Sequence, residues 1–549
     1  MIIRFLALLL LVSSSIAHSF TPEELWQAWP EERFVTTTAP CLRHAELSER
    51  LRDLADRYPE QVRLAEIGRS VQGRAIHLLI LGQGDKKILL WSQMHGDEPS
   101  ATPALLDIAS YLLGHADEPE PQAILEGVTL LMIPMLNPDG AQVYERRNAQ
   151  AIDINRDALN LATPEGRILK QVRDQHQPLL GLNLHDQNRR TAVGDSKKLA
   201  TNAVLAVAGD PEGTETPGRL RAKRVCSAIV EALAPFMPGG MARYDEDWSP
   251  RAFGDNLTAW GTPVVLIESG GLPPGRDFTE LTRLNFVAIL TVLQELVKDD
   301  LAGYDPEVYE KLLRNQSNSW TDVAVRGGYL LQPGTSVPYR ADLAFNVYRD
   351  DRQVAGCATE VTARSRIVEI GDDRFKGAGR DVDAGGALLL APFEIGVDGW
   401  SARKWLDGGT LDQMARLGVG TVWWSVSGRR TAKALELTRQ LNRQGRPRVE
   451  VITVPSSAPG LRLSKPPADP ETDSLATVLR ALGVRGGLEE RLQDLWPQVG
   501  ETAPRLPMLR PQQPASFLLV TPAPEGKIDF GRARLTSVWL DGFEFTTSP

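Results

Sequence analysis

Between about residue 60 and residue 300 the chain alternates short, unbroken apolar runs with longer stretches whose apolar positions fall three and four apart. Lys87–Trp91 (KILLW), Val128–Ile133 (VTLLMI), Leu179–Leu184 (LLGLNL) and Pro263–Ile267 (PVVLI) have no polar face. They are too short for helices, so the pattern predicts strands buried on both sides. Thr102–Leu113 has apolar residues at Leu105, Leu106, Ile108, Ala109, Leu112 and Leu113, a helical spacing, and Phe278–Val297 repeats it. Strands that alternate with helices in this way predict an α/β fold, a mixed and largely parallel sheet flanked by helices.

From Leu301 to Ser319 the chain turns polar (RNQSNS), which predicts a domain boundary. Beyond it the pattern becomes β-rich, with glycine-punctuated short strands such as Thr321–Leu331 and Asp342–Arg349 up to about residue 395. Thr421–Val426, Thr431–Gln444 and Arg448–Val454 then read as strand, helix and strand, one crossover unit. A Pro-rich stretch, Ser456–Asp473, precedes two returning strands, Ala515–Val520 and Leu535–Leu540. The expected organisation is a signal peptide over 1–17, a catalytic domain over 18–300, and a β-rich accessory domain over 320–549 with an α/β insertion at about 400–510.

The signal assignment rests on Arg4, the apolar run Phe5–Val12 and the small residues Ser13, Ser14, Ser15 and Ala17. That run is far short of the roughly 20 residues a membrane span needs. The reading is therefore a periplasmic or secreted protein with no membrane anchor in the mature chain. Apolar residues at 42% and charged residues at 24% are ordinary for a folded chain of 549 residues. A formal net charge of −9 leaves no overall positive field for a phosphate backbone, so nucleic acid is not an expected partner. Cys41, Cys226 and Cys357 allow at most one internal disulfide, and their spacing leaves the pair open.

Candidate chemistry gathers where the predicted strands end. His95 and Glu98 follow the first of them, in WSQMHGDEPSAT. His185 ends another (NLHDQ), and Glu268 ends a third (VVLIESGG). In open α/β sheets ligands bind at the carboxyl ends of strands, so these side chains are delivered to one rim. Two imidazoles and one carboxylate, with a fourth position left to water, form the ligand set of catalytic zinc, and a further glutamate can take the proton of that water. His44, His77, His115 and His176 have no such context and read as core or surface side chains.

In these contexts the chain resembles the M14-type zinc carboxypeptidases. The motifs run in order from about Leu64 to Val297: GRSVQGR (Gly68–Arg74), HGDE (His95–Glu98), NPDG (Asn137–Gly140), RRN (Arg146–Asn148), DINR (Asp153–Arg156), NLH (Asn183–His185) and IES (Ile267–Ser269). The resemblance implies that His95, Glu98 and His185 hold one Zn²⁺ and that Glu268 is the general base and later the proton donor. It implies Arg146 as the cation at the developing oxyanion, with Arg147 as the alternative. Asn155 and Arg156 would grip the substrate's terminal carboxylate, and Asp153 would orient a ligand histidine. The family's tyrosine has Tyr244 as its nearest counterpart, and a position commonly aromatic in the digestive enzymes is Gln187. The acidic loop Asp245–Asp247 could favour a basic substrate group, though a plain solvated loop is the simpler reading.

The later segments Thr321–Gly334, Arg366–Gly371, Asp381–Gly399 and Leu535–Gly542 resemble the composite β-domain of metal-dependent amidohydrolases. No histidine follows His185, so that half cannot carry the resembled His-ligated metal site. The interrupting stretch is also too short for a barrel of about 250 residues. The expected function is that of an exported zinc metallocarboxypeptidase that hydrolyses C-terminal peptide bonds with zinc-activated water and a glutamate base. The alternatives are a peptidoglycan stem-peptide amidase or carboxypeptidase of the same fold, a deacylase of N-acyl amino acids, and a zinc-binding inactive scaffold. The expected partner is a peptide or peptidoglycan-peptide substrate.

Overall fold

The structure, a computed structural model, describes residues 20–245, 248–298, 301–331, 338–349 and 363–390, and beyond these Cys357, the strands named below and single residues. The expected signal segment 1–17, Glu246 and Asp247 of the acidic loop, and most of both the Thr431–Gln444 helix and the 400–510 insertion lie outside the described residues. The chain divides into two compact units. The first runs to Gln316, without 195–197 and with Cys357; the second holds 195–197 and the chain from Ser317 on apart from that short return.

In the first unit α1 (Pro22–Glu32) and α2 (His44–Arg57) precede strands β1 (Val62–Arg69), β2 (Ala75–Leu81) and β3 (Lys86–Trp91). Next come α3 (Ala101–Gly114), α4 (Pro119–Gly127), β4 (Val128–Ile133), α5 (Pro138–Val143), α6 (Pro164–His176) and β5 (Leu180–Asp186). They are followed by β6 (Ala192–Val193), β7 (Asn202–Ala206), α7 (Pro217–Leu233), β8 (Met241–Arg243), α8 (Phe253–Ala259) and β9 (Val264–Ser269). The unit closes with α9 (Thr279–Lys298), α10 (Pro306–Glu310) and β10 (Asn315–Gln316). The main sheet has the order β1-β2-β4-β3-β5-β9-β7-β8. Its centre, β4-β3-β5-β9, is parallel throughout; β2 and β7 pair antiparallel with its two edges, and β1 pairs antiparallel with β2.

The central strands are apolar on both sides because both sides are covered. Ile88 and Leu90 of β3, Leu180, Leu182 and Leu184 of β5, and Val265 and Ile267 of β9 pack into a core shared with α1, α2, α3, α7 and α9. Leu89 and Trp91 of β3 and Val264 and Leu266 of β9 pack on the opposite side, with Leu169 of α6 and Phe253 and Leu257 of α8. Side chains alternate with period two. His185 and Glu268 therefore emerge on the α6/α8 side, and Asp186 and Ser269 emerge on the α9 side.

A carboxylate inside this core fixes the N-terminal segment. Asp107 of α3 accepts from Trp29 Nε1 at 3.0 Å and from the Phe34 and Val35 amides at 3.0 Å each. Burial pushes its carboxyl up to about 7, against those three donors. An acid raised in the fold contributes stability below its unfolded pKa that is lost as pH rises to the folded value. Between about pH 4 and pH 7 the wild type is thus expected to lose up to about 4 kcal/mol that Asp107→Asn does not lose. Urea unfolding of both proteins across that window checks it, and parallel pH profiles would reject it.

The division between the units, near Ser317, lies inside the polar stretch 301–319, close to its end. The polar stretch conceals α10, capped by the Asp305 side chain, whose Tyr309 is buried and takes a hydrogen bond from the Ala206 amide. β10 then pairs with β6. Cys41 and Cys357 form the disulfide, with Cα atoms 5.6 Å apart, and Cys226 is a buried free thiol.

The second unit contains an eight-stranded sheet in the order Ala363–Gly371, Tyr339–Arg349, Trp320–Leu331, Leu388–Leu390, Phe517–Thr521, Arg534–Leu540, Phe543–Thr546, with Gly377–Asp383 also pairing Trp320–Leu331. Val325, Phe345, Ile367, Leu389 and Trp539 are among its core residues. The strand Trp320–Leu331 is 12 residues long, and Gly327, at φ 70°, marks a register shift rather than an end. Glycine punctuation in the sequence therefore signals a bulge within a long strand. Phe393–Asp398, Val419–Ser425, Glu450–Val454 and Leu461–Leu463 make a separate four-stranded parallel sheet.

Candidate functional site

His95 and Glu98 lie in the turn between β3 and α3, closed by a hydrogen bond from the Glu98 amide to the His95 carbonyl at 3.2 Å. That turn is pressed backbone to backbone against the start of α5. A Cβ on Gly96 would come within 2.0 Å of the Gly140 carbonyl carbon, and one on Gly140 within 2.7 Å of the Arg147 carbonyl oxygen. Only glycine permits that approach. Asn137 completes the join: its side chain accepts from the Gly140 amide at 2.9 Å and donates to the carbonyls of Met94 at 3.3 Å and Arg146 at 3.4 Å. Asp139 accepts from Ser70 Oγ, Arg74 Nη1 and the Gln72 amide. The GRSVQGR, HGDE, NPDG and RRN segments are thus one packed assembly that carries Arg146 toward Glu98.

His185 arrives from β5, and Glu268 is its register partner on the parallel strand β9, so the two share a face. His95, Glu98, His185 and Glu268 are all at most 8% exposed. The Nδ1 atoms of His95 and His185 are 3.1 Å apart; His95 Nδ1 is 2.8 Å from Glu98 Oε1, and His185 Nδ1 is 2.6 Å from Glu98 Oε2. One ligand atom from each of the three residues falls within 4.8 Å of the others. On the far side of the ring, His95 Nε2 donates to Asp153 Oδ1 at 3.0 Å. This leaves the Nδ1 lone pair facing the carboxylate. Two lone pairs 2.8 Å apart repel unless a cation or a shared proton lies between them, so the donor set fits a divalent cation of borderline softness such as zinc.

The electrostatics point the same way. Burial pushes the Glu98 carboxyl up, but His95 and His185 outweigh it and hold the group well below the usual carboxylate range. Burial lowers His95, and Glu98 and Asp153 reverse this, leaving it above its ordinary value. His185 is lowered, chiefly by burial. A carboxylate held ionised in a buried site beside two imidazoles is an environment that favours a cation.

Arg146 lies against this centre: Nε donates to Asp153 Oδ2 and Nη1 to Glu98 Oε1, each at 3.0 Å. Arg147 is exposed and turns to the Ala151 carbonyl at 3.1 Å, so only the first arginine of the pair touches the cluster. Asn155 follows Asp153 by two residues; its amide donates to Asp153 Oδ1 at 3.0 Å, and its side-chain Oδ1 accepts from the Phe253 amide at 2.9 Å. Arg156 is exposed beside it. Two and three residues of chain span at most about 7 and 11 Å, which keeps both within a short substrate's reach of Asp153.

Tyr244 packs on the α6/α8 side of the sheet. Its amide donates to the Val204 carbonyl, and the residue lines a cavity of ≈ 190 Å³ with Asp210, Arg219, Trp248 and Asp255, whose walls include neither His95, Glu98, His185 nor Glu268. Gln187 bonds to the Ala200 carbonyl and to Asn315. Sequence reasoning passed over Asn137 and Asp139 as positioning side chains, although their place in NPDG was the available signal.

Residues 47–182 match the zinc carboxypeptidase family, Peptidase M14. The chain is 31% identical over 147 residues to Carboxypeptidase SOL1 of Arabidopsis thaliana, covering 24% of this chain and 30% of that protein. It is 26% identical over 260 residues to Carboxypeptidase 2 of Trichophyton equinum, covering 44% and 47%. It spans less than half the length of both relatives. A metallo-carboxypeptidase from Pseudomonas aeruginosa in complex with (2-guanidinoethylmercapto)succinic acid aligns at 24% identity and TM-score 0.37, over 46% of this chain and 69% of that one.

Proposed function

We propose, from the match of residues 47–182 to the zinc carboxypeptidases, that the protein is an exported zinc metallocarboxypeptidase that removes residues from free C-termini of peptides. The observation that carries the reading is the convergence of His95 Nδ1, His185 Nδ1 and Glu98 within 4.8 Å, with Glu268 in register beside His185.

His95, His185 and Glu98 would hold the zinc, and Asp153 would keep His95 in the tautomer that presents Nδ1. Bound zinc would supply Lewis-acid polarisation of the scissile carbonyl and bring the pKa of water to about 7. Glu268 takes the proton from the attacking water and returns it to the leaving nitrogen, which a carboxylate can do and an amide cannot. Arg146 donates to the carbonyl oxygen as it gains charge. Asp153 holds the guanidinium through Nε, so little reorganisation is needed at that moment. Asn155 and Arg156 receive the terminal carboxylate, for which a planar guanidinium fork is suited.

Mass spectrometry of peptides with free and amidated C-termini, together with peptidoglycan stem peptides, tests the reading. Stepwise loss from free C-termini alone is expected. Cleavage confined to the wall fragments would replace the substrate class, and no cleavage by a zinc-loaded protein would reject the activity.

A further inference from the structure

Behind the strand ends, on the side away from His185 and Glu268, lies a buried polar network that none of the proposed chemistry uses. Asp186 follows His185, Ser269 follows Glu268 and Ser100 lies two residues beyond Glu98. Because side chains alternate along a strand, Asp186 and Ser269 point toward α9 when their neighbours point into the site. Ser100 bonds to Asp186 through both its amide, at 3.1 Å, and its hydroxyl. The Asp186 amide in turn points at Glu98 Oε2, 3.3 Å away, and the Gln187 amide donates to the Ser269 carbonyl at 2.7 Å.

Two side chains one turn apart on α9 close this network. Asn285 Nδ2 donates to Ser269 Oγ at 2.9 Å and to the Leu281 carbonyl at 3.0 Å, and it lies 3.5 Å from Ser100 Oγ. The carbonyl partner requires a donor, which fixes the orientation of the amide. Thr282 Oγ1 donates to the Ser100 carbonyl at 3.0 Å. Asn285 is 1% exposed and Thr282 3% exposed. One helix face thereby grips the backbone beside Glu98 and the residue after Glu268, and through Ser100 it reaches the residue after His185.

We propose that Asn285 and Thr282 are positioning residues that hold Glu98, His185 and Glu268 in register with one another. The proposal rests on the metal-site reading above and extends it to a helix that contributes no ligand. Three segments of the chain must agree to within a few tenths of an ångström for a coordination sphere to close. Partners behind a ligand set ordinarily change metal affinity 10- to 100-fold when removed.

The test compares Asn285→Leu, Thr282→Val and Thr282→Ser with Thr291→Val, a buried threonine on the same helix that bonds to the Val287 carbonyl. Zinc affinity is read by competition with a chromogenic chelator, and the stability of the zinc-free proteins by thermal melting. Asn285→Leu and Thr282→Val are expected to bind zinc about tenfold more weakly, with Thr282→Ser restored and Thr291→Val unchanged. With substrate, kcat should fall and KM stay constant. Affinity within twofold of wild type in both variants, or an equal loss in Thr291→Val, would overturn the proposal. The affinity readout needs no substrate, so inactivity of the wild type toward peptides would count against the proposed reaction and not against the network.

Discussion

Replacing Glu268 by glutamine is expected to lower kcat by roughly 10²- to 10⁴-fold while zinc content stays at the wild-type level. The two side chains have the same shape, and the position is 7% exposed on a strand paired with β5 and β7, so the fold around it should be retained. The amide cannot accept the proton of an attacking water, and among the described residues no other carboxylate ends a strand on that face beside His185. Asp186, the nearest in sequence, points to the α9 side and is engaged by Ser100. Steady-state kinetics with metal analysis on the same preparation decides the matter. A variant that keeps more than about a tenth of the activity would move the base elsewhere.

Glu98→Ala should have the second large effect, and on a different observable. Zinc present at about 1,000 times its Kd stabilises a protein that binds it only when folded by about 4 kcal/mol, and the variant should gain almost none of this. The zinc-free protein should weaken as well. Without Glu98 the Nδ1 atoms of His95 and His185 and the Arg146 guanidinium lose the one carboxylate they share. Removing one partner from a buried charged set costs about 3–5 kcal/mol. Melting curves with zinc and with chelator measure both quantities. An equal zinc-induced shift in wild type and variant would exclude this cluster as the metal site.

How much of the site could be read in advance varies by residue. His95, Glu98, His185 and Glu268 were visible because each stands at the end of an apolar run, where a strand must stop and a parallel sheet opens. Arg146 could be separated from Arg147 only in three dimensions, where Asp153 and Glu98 capture one guanidinium and the Ala151 carbonyl takes the other. Tyr244 was reached by its place along the chain; in three dimensions its amide bonds to the Val204 carbonyl and it lines a cavity with Asp210 and Trp248. The polar stretch before Ser319 read as a domain boundary, and the short helix inside it escaped notice because one buried tyrosine on a single turn is too weak a periodic signal to detect.

By itself, then, the sequence determined the α/β architecture of the first unit, the residue types that gather at the strand ends and the lack of any histidine after His185. Those properties follow from local periodicity and residue type, which a linear reading contains. The tertiary structure decided the pairing of Cys41 with Cys357, the choice of arginine, the glycine contact that joins HGDE to NPDG, and the grip of Asn285 on Ser269. Each of these depends on atoms far apart along the chain meeting at a few ångströms. No period or motif encodes such a meeting, because it is the sum of how every intervening element packs.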